Sequence, residues 1–102
     1  MIGDLFSKLQ DARQRIEEAK NKLNSIIIEV ESDRGNIKIK ANANKTLTSI
    51  EISEEAIKMD RTELEDLLML TINKALDEAA QRGELEMKSI TKDVLPNFPG
   101  LI

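Results

Sequence analysis

The chain has 102 residues, 40% of them apolar and 33% charged, with a formal net charge of −4 and neither cysteine nor histidine. Length points to one domain, 1–102, and composition to a well-solvated globular protein. The missing residue types exclude disulfides, thiolate metal sites and thiol nucleophiles, and remove the usual imidazole ligand and general base.

The charge is uneven. Residues 1–52 carry nine basic and eight acidic side chains, a balance of +1, whereas residues 53–102 carry six and eleven, a balance of −5. A uniformly basic surface is absent, so any contact with a polyanion must come from a local patch. No stretch approaches about 18 continuous apolar residues, so no membrane span is expected. The start, MIGDLFSKLQ, lacks a basic segment followed by an apolar run. No signal peptide is read there, and the cytoplasm is the expected location.

Residues 2–26 follow a heptad. Ile2, Leu9, Ile16 and Leu23 form one seven-residue series, and Leu5, Ala12, Ala19 and Ile26 the other. An apolar repeat of this kind, free of proline, predicts a long amphipathic helix over about 3–24. Leu5, Leu9, Ile16 and Leu23 are the candidate packing or dimer seam, and Phe6 extends its apolar face. Asp4, Asp11 and Glu18 stand four residues before Lys8, Arg15 and Lys22, the favourable order for helical ion pairs. Lys8, Arg15 and Lys22 flank the seam on one side, Arg13 and Lys20 on the other. In a parallel homodimeric coiled coil these charges would face their own kind, so an acidic partner helix fits the seam better. A helix of ~22 residues is ~33 Å long, more than the width of a small sheet. Part of it should project and seek a partner, which makes a dimer the expected state.

The period then changes from helical to alternating. Ile26, Ile28 and Val30 alternate with Ile27, Glu29 and Glu31. After the turn signal of residues 32–36, Ile37, Ile39 and Ala41 alternate with Lys38, Lys40 and Asn42. A second polar loop, about 42–46, leads into residues 47–52, completing an antiparallel meander of three short strands. Its isoleucine-rich face must be covered, while the face bearing Glu29, Glu31, Lys38, Lys40 and Glu51 can meet water.

Residues 53–60 read as a connector with one helical turn at 54–57. A second long helix follows over about 60–92, with Asp60 and Glu63, or Thr62 and Glu65, as its capping box. Leu64, Leu67, Leu68, Ile72, Ala75, Leu76, Ala79 and Ala80 give it a wide apolar stripe. Gly83 either ends this helix or is a weak point inside it. Both prolines fall in the tail, 93–102, which should be irregular. The fold class expected is thus α+β: a long N-terminal helix, a three-stranded antiparallel meander, a long C-terminal helix and an irregular tail, associated as a dimer.

Catalytic constellations are missing. The serines sit in no nucleophile motif, and the neighbouring carboxylates Glu54-Glu55 and Glu65-Asp66 point in different directions on a helix. The four glycines are isolated, so no phosphate-cradling loop exists. No enzyme, metal, cofactor or small-molecule substrate is expected. The positive set Lys8, Arg13, Arg15, Lys20 and Lys22 reads either as a solvated helix face or as a grip on DNA phosphates, which requires charge on a rigid scaffold but no base-reading motif. Phe6 and Phe98 are the only aromatics, so a stacking platform for single strands is absent.

Residues 35–57, GNIKIKANANKTLTSIEISEEAI, carry a glycine-led strand, a turn asparagine at Asn42 and a short acidic connector. Together with the run 64–68, the run Ile72-Asn73-Lys74-Ala75 and the proline-glycine-aromatic tail of 95–100, this stretch resembles the YbaB/EbfC family of nucleoid-associated proteins over nearly the whole chain. Ala43 stands where that family usually has glycine, and the first helix is richer in charge. The resemblance implies an α+β homodimer in the cytoplasm or nucleoid that binds double-stranded DNA through projecting helices. It adds Arg82 and Lys88 on the second long helix as weaker candidate contacts. A dimeric interaction or scaffold module without nucleic acid is the alternative reading, and the net negative charge favours it.

Overall fold

A computed structural model describes the backbone of residues 2–94 and the side chains of residues 3–89. Helix α1 spans Ile2–Leu23, strand β1 Ile27–Glu31, β2 Ile37–Asn42 and β3 Leu47–Ile52; a single turn, α2, spans Glu54–Ile57, and α3 runs unbroken from Arg61 to Val94. The strands form an antiparallel meander in the order β1-β2-β3. The expected tail lies outside the described residues, save Asp93 and Val94, which continue α3.

The alternation seen in the sequence sets the two faces of the sheet. Val30 pairs with Ile39, which pairs in turn with Ile50, and Ile37 pairs with Ile52. Directly opposed residues share a face, so these side chains form one apolar layer. Helix α3 lies across β2 and β1. Val30, Ile37, Ile39, Ala56 and Ala75 are buried between them, with Ile28, Leu64, Leu67, Leu68 and Ile72 packed around this cluster. The opposite face carries Glu29 opposite Lys40 and Glu31 opposite Lys38, with Lys38 Nζ 3.7 Å from Glu31. Opposite charges at paired positions support the register and leave that face to water.

The apolar layer is not covered throughout. Ile50 and Ile52 of β3 remain 49% and 38% exposed, because α3 is one helix wide and sits over the other two strands. The expectation that the isoleucine face is covered thus holds for β1 and β2 and fails at β3.

Three elements meet at the β2–β3 turn. Asn42 is buried, and its side-chain oxygen accepts from the backbone N–H groups of Asn44 and Thr46 at 2.9 and 3.2 Å. This asparagine-built turn puts Lys45 at φ 63°, a left-handed conformation. The turn then satisfies the end of α1. The Ala43 N–H donates to the carbonyls of Leu23 and Ile26 at 3.2 and 3.0 Å. The Asn44 amide donates to the Lys20 carbonyl at 3.0 Å and to Asn24 Oδ1 at 2.6 Å. Helix C-termini leave carbonyls without partners, and here a turn some twenty residues later in the chain supplies them.

Gly83 completes this junction from the other side. It neither ends nor breaks α3; a Cβ placed on it would overlap the Ala43 carbonyl oxygen. The glycine is therefore needed for close approach, not for backbone freedom. An alanine in an exposed helix interior normally stabilises by about 1 kcal/mol over glycine. Gly83→Ala should instead destabilise by about 1–3 kcal/mol, as overpacking does. Urea melts of the two proteins check the sign, and a stabilised variant would mean that α3 does not pass this close.

Candidate nucleic-acid interface

Beyond the sheet the molecule is an arm. It measures 68 × 22 × 18 Å along its principal axes, and the long dimension comes from α1 packed on the second half of α3. The heptad seam provides the contact: Leu23 and Ala19 are buried, Ile16 and Ala12 half-buried. Burial decays towards the N-terminus, where Leu5, Phe6 and Leu9 are 58%, 61% and 49% exposed. Phe6, expected to pack on the apolar face, is thus largely open to solvent, because α3 opposes only the inner part of α1.

The stretch of α3 that runs beside α1, from about residue 80, carries Arg82 and Lys88 as well as Glu84 and Glu86, so the partner helix is of mixed charge and not the acidic one expected. The first helix packs on it within its own chain over its inner turns, through the apolar seam.

With the seam turned towards α3, the flanking positions fall on either side of the arm. Lys8, Arg15 and Lys22 recur every seven residues, about 10.5 Å apart along the axis, and make one row. Arg13 and Lys20, also seven apart, make a second row on the opposite flank. All five are exposed. The ion pairs expected four residues apart are not made among the described residues. Instead Lys20 Nζ lies 3.8 Å from Glu17, and Gln14 bonds to Glu18 at 3.4 Å. Lys8, Arg13, Arg15 and Lys22 have no ion-pair partner among the described residues.

The two candidates on α3 differ from these. Arg82 Nε donates to Glu86 at 3.0 Å, so its charge is largely neutralised where it sits. Lys88 is exposed and unpaired among the described residues. The structure also brings in Lys45, which sequence reasoning missed. Asn44 grips the Lys20 carbonyl and Asn24, so Lys45 sits at the base of the arm on the Arg13 and Lys20 flank. It lines a shallow groove with Leu23, Gly83, Glu84 and Met87. Nothing in the local sequence marks Lys45; its place depends on a contact between residues more than twenty positions apart.

The arrangement offers separated point charges spaced along a pair of packed helices. Buried side-chain polar atoms without a hydrogen-bond partner are absent among the described residues. So are groups of three or more side chains able to hold a metal. No helix among these residues is long and apolar enough to cross a membrane.

Fold and surface together define a small α+β protein with a projecting two-helix arm and basic side chains spaced along it. The chain belongs to the YbaB/EbfC DNA-binding family, whose model matches residues 1–94. It is 32% identical to a nucleoid-associated protein of Flavobacterium johnsoniae, over 95% of this chain and 91% of that protein. It is 33% identical to a nucleoid-associated protein of Thermoanaerobacter pseudethanolicus, over 98% and 89%. Its fold is similar to the crystal structure of an uncharacterized protein from Helicobacter pylori. The TM-score is 0.74 at 16% identity, covering 88% of this chain and 97% of that one.

The Arg82–Glu86 pair is a surface pair, and such pairs are worth about 0–1 kcal/mol. Arg82→Ala should accordingly shift the urea midpoint only slightly. A loss well above that range would assign Arg82 a packing role in the arm.

Proposed function

We propose that this protein binds double-stranded DNA without catalysis, as a homodimer located in the nucleoid, and that the rows of basic side chains along α1 make the contacts. The observation that carries the reading is the pairing of family membership with a rigid arm whose flanking cations are exposed and mostly free of ion pairs among the described residues. Contacts of this kind go to phosphates, fix position, and carry no sequence code. Arg13, Lys20 and Lys45 lie along one flank and Lys8, Arg15 and Lys22 along the other, so one arm offers two weak sites. A second copy doubles them at a fixed span, and modest sites joined this way bind with far greater combined strength.

Support for the homodimer comes from β3. It is an edge strand with unpaired backbone groups along one side, and its half-exposed Ile50 and Ile52 adjoin that edge. Of the charged types, its six residues include only Glu51, so the edge lacks the lysine or proline that usually protects such strands. Pairing β3 with its symmetry mate would fill the backbone groups and cover the isoleucines in one step, an isologous contact of the commonest kind. Ile50→Lys together with Ile52→Lys should yield a folded monomer by light scattering. A double variant that remains dimeric would remove β3 from the interface.

One observation favours the alternative, a dimeric protein-interaction module. Asp4, Asp11 and Glu18 run along α1 beside the Lys8, Arg15 and Lys22 row and weaken its field. Gel-shift titration on a mixed-sequence duplex at low and physiological salt separates the readings, since phosphate contacts lose affinity steeply as salt rises. Arg13→Glu, Arg15→Glu and Lys20→Glu combined should abolish the shift while the mass in solution stays unchanged. Unaltered binding by the folded triple variant would clear these side chains of the role, and a dimer that leaves DNA unshifted at low salt would favour the interaction module.

A further inference from the structure

Helix α1 outruns its partner. Leu23, Ala80, Gly83 and Met87 line one groove, so the end of α1 is level with residues 80–87 of α3. From there α3 leaves the sheet alongside α1 in the opposite direction. Val94 lies eleven positions past Gly83, about 16 Å along the axis. The same distance back from Leu23 reaches Ala12. Residues 2–11 therefore extend about 15 Å beyond the end of the described α3. Exposed seam residues Leu5 and Leu9 lie in this overhang, with Phe6 beside them. Phe6, Leu9, Gln10 and Arg13 line an open groove of about 250 Å³ there.

The chain itself continues at this point. Residues 95–102, LPNFPGLI, follow Val94 in the sequence, and Val94 is the residue that comes level with Ala12. Their apolar residues Leu95, Phe98 and Leu101 recur every three positions, as do Pro96 and Pro99. Proline cannot extend the helix, and Leu95 and Phe98, each preceding a proline, are biased to extended backbone. In a polyproline II conformation, with three residues per turn and about 3.1 Å per residue, Leu95, Phe98 and Leu101 fall on one edge about 9 Å apart. That step is close to the heptad repeat of the seam, about 10.5 Å. Eight such residues reach about 25 Å, enough to follow the overhang to its end.

We propose that residues 95–102 dock, in extended form, along the uncovered seam of α1 in their own chain, with Phe98 set against Phe6, Leu9 and Arg13. The tail then replaces α3 as the partner of the outer turns. The two phenylalanines form an aromatic pair, and the Arg13 guanidinium can cover a ring face. The docked tail holds the tip of α1 in line with the rest of the arm, which keeps Lys8 and Arg13 on one rigid rod. This inference concerns the arm alone and stands whether or not the arm binds DNA.

The lack of cysteine in the chain makes disulfide trapping clean. Gln10→Cys with Asn97→Cys places one thiol in the groove and one beside Phe98 while leaving all the apolar contacts intact. Asp11→Cys with Asn97→Cys is the control, because Asp11 is only one residue from Gln10 along α1 but none of the groove residues Phe6, Leu9, Gln10 and Arg13 stands three or four positions from it, so it faces away from the groove. Both proteins are oxidised in dilute solution with oxidised glutathione and followed on non-reducing gels. Docking predicts closure within one chain about tenfold faster for the Gln10 pair, from its higher effective concentration. Adding Phe98→Ser should bring that rate down to the control. Equal rates for the two pairs, closure indifferent to Phe98→Ser, or bridges formed only between chains would each overturn the proposal.

Discussion

The architecture depends on one crowded point, where the Ala43 peptide sits between the end of α1 and the middle of α3. Its N–H satisfies carbonyls of Leu23 and Ile26, and its carbonyl oxygen faces Gly83, where no side chain can be admitted. The short β2–β3 turn fixes this peptide through Asn42. Because α1 and α3 both touch the same turn, the relative position of the two helices is set at the base of the arm. From that base a seam of small and aliphatic side chains, Ala19, Ile16 and Ala12, carries the alignment outward. The spacing of the basic rows on the arm's flanks follows from helix geometry once this base is fixed.

Periodicity made much of the fold legible in advance. A seven-residue apolar repeat, a change to alternation at Ile26, and a turn signal before each later strand are local signals, and each maps onto an element with bounds close to those read from the chain. The outcome at Gly83 was not legible. A glycine in a helical stretch reads the same whether it ends a helix, weakens it, or admits a neighbouring peptide, and the neighbour here comes from forty positions earlier. Phe6 and Lys45 fail to read for the same reason. Whether Phe6 is covered depends on where α3 stops relative to α1, and the place of Lys45 depends on a turn docking against a distant helix. Among the candidate site residues, the division of α1 cations into two flanks was visible from the heptad. The neutralisation of Arg82 by Glu86 required side-chain geometry, although the four-residue spacing permits it.

Among the exposed apolar side chains of the described residues, two groups lie at opposite ends of the molecule. Small domains bury a limited fraction of their surface and often complete the core by association. At the sheet end, Ile50 and Ile52 border an open strand edge, which offers backbone hydrogen bonds along with apolar area. At the arm end, Leu5, Phe6 and Leu9 sit on a convex helix that offers none. The first surface suits another strand. The second suits a segment that contributes side chains in register and needs no hydrogen bonds from its partner, a description that fits a proline-rich extended chain better than a strand or a long helix.

Net charge is a poor guide to what such a molecule can hold. At an ionic strength of 0.15 M, charges separated by more than about 8 Å are largely screened from one another. The acidic excess of the second half of the chain is carried partly by residues such as Glu54, Glu55, Asp60 and Glu63, near or before the start of α3, far down the molecule from Lys8 and Arg13. Over that distance they do little to the field at the arm tip. What matters locally is the company each cation keeps within one helical turn. Three acids, Asp4, Asp11 and Glu18, border the row Lys8, Arg15 and Lys22, whereas a single one in α1, Glu17, stands on the other flank, four residues after Arg13 and three before Lys20. On this argument the Arg13 flank carries the less compensated positive field, so in the proposed DNA complex it is the flank that should face the phosphates.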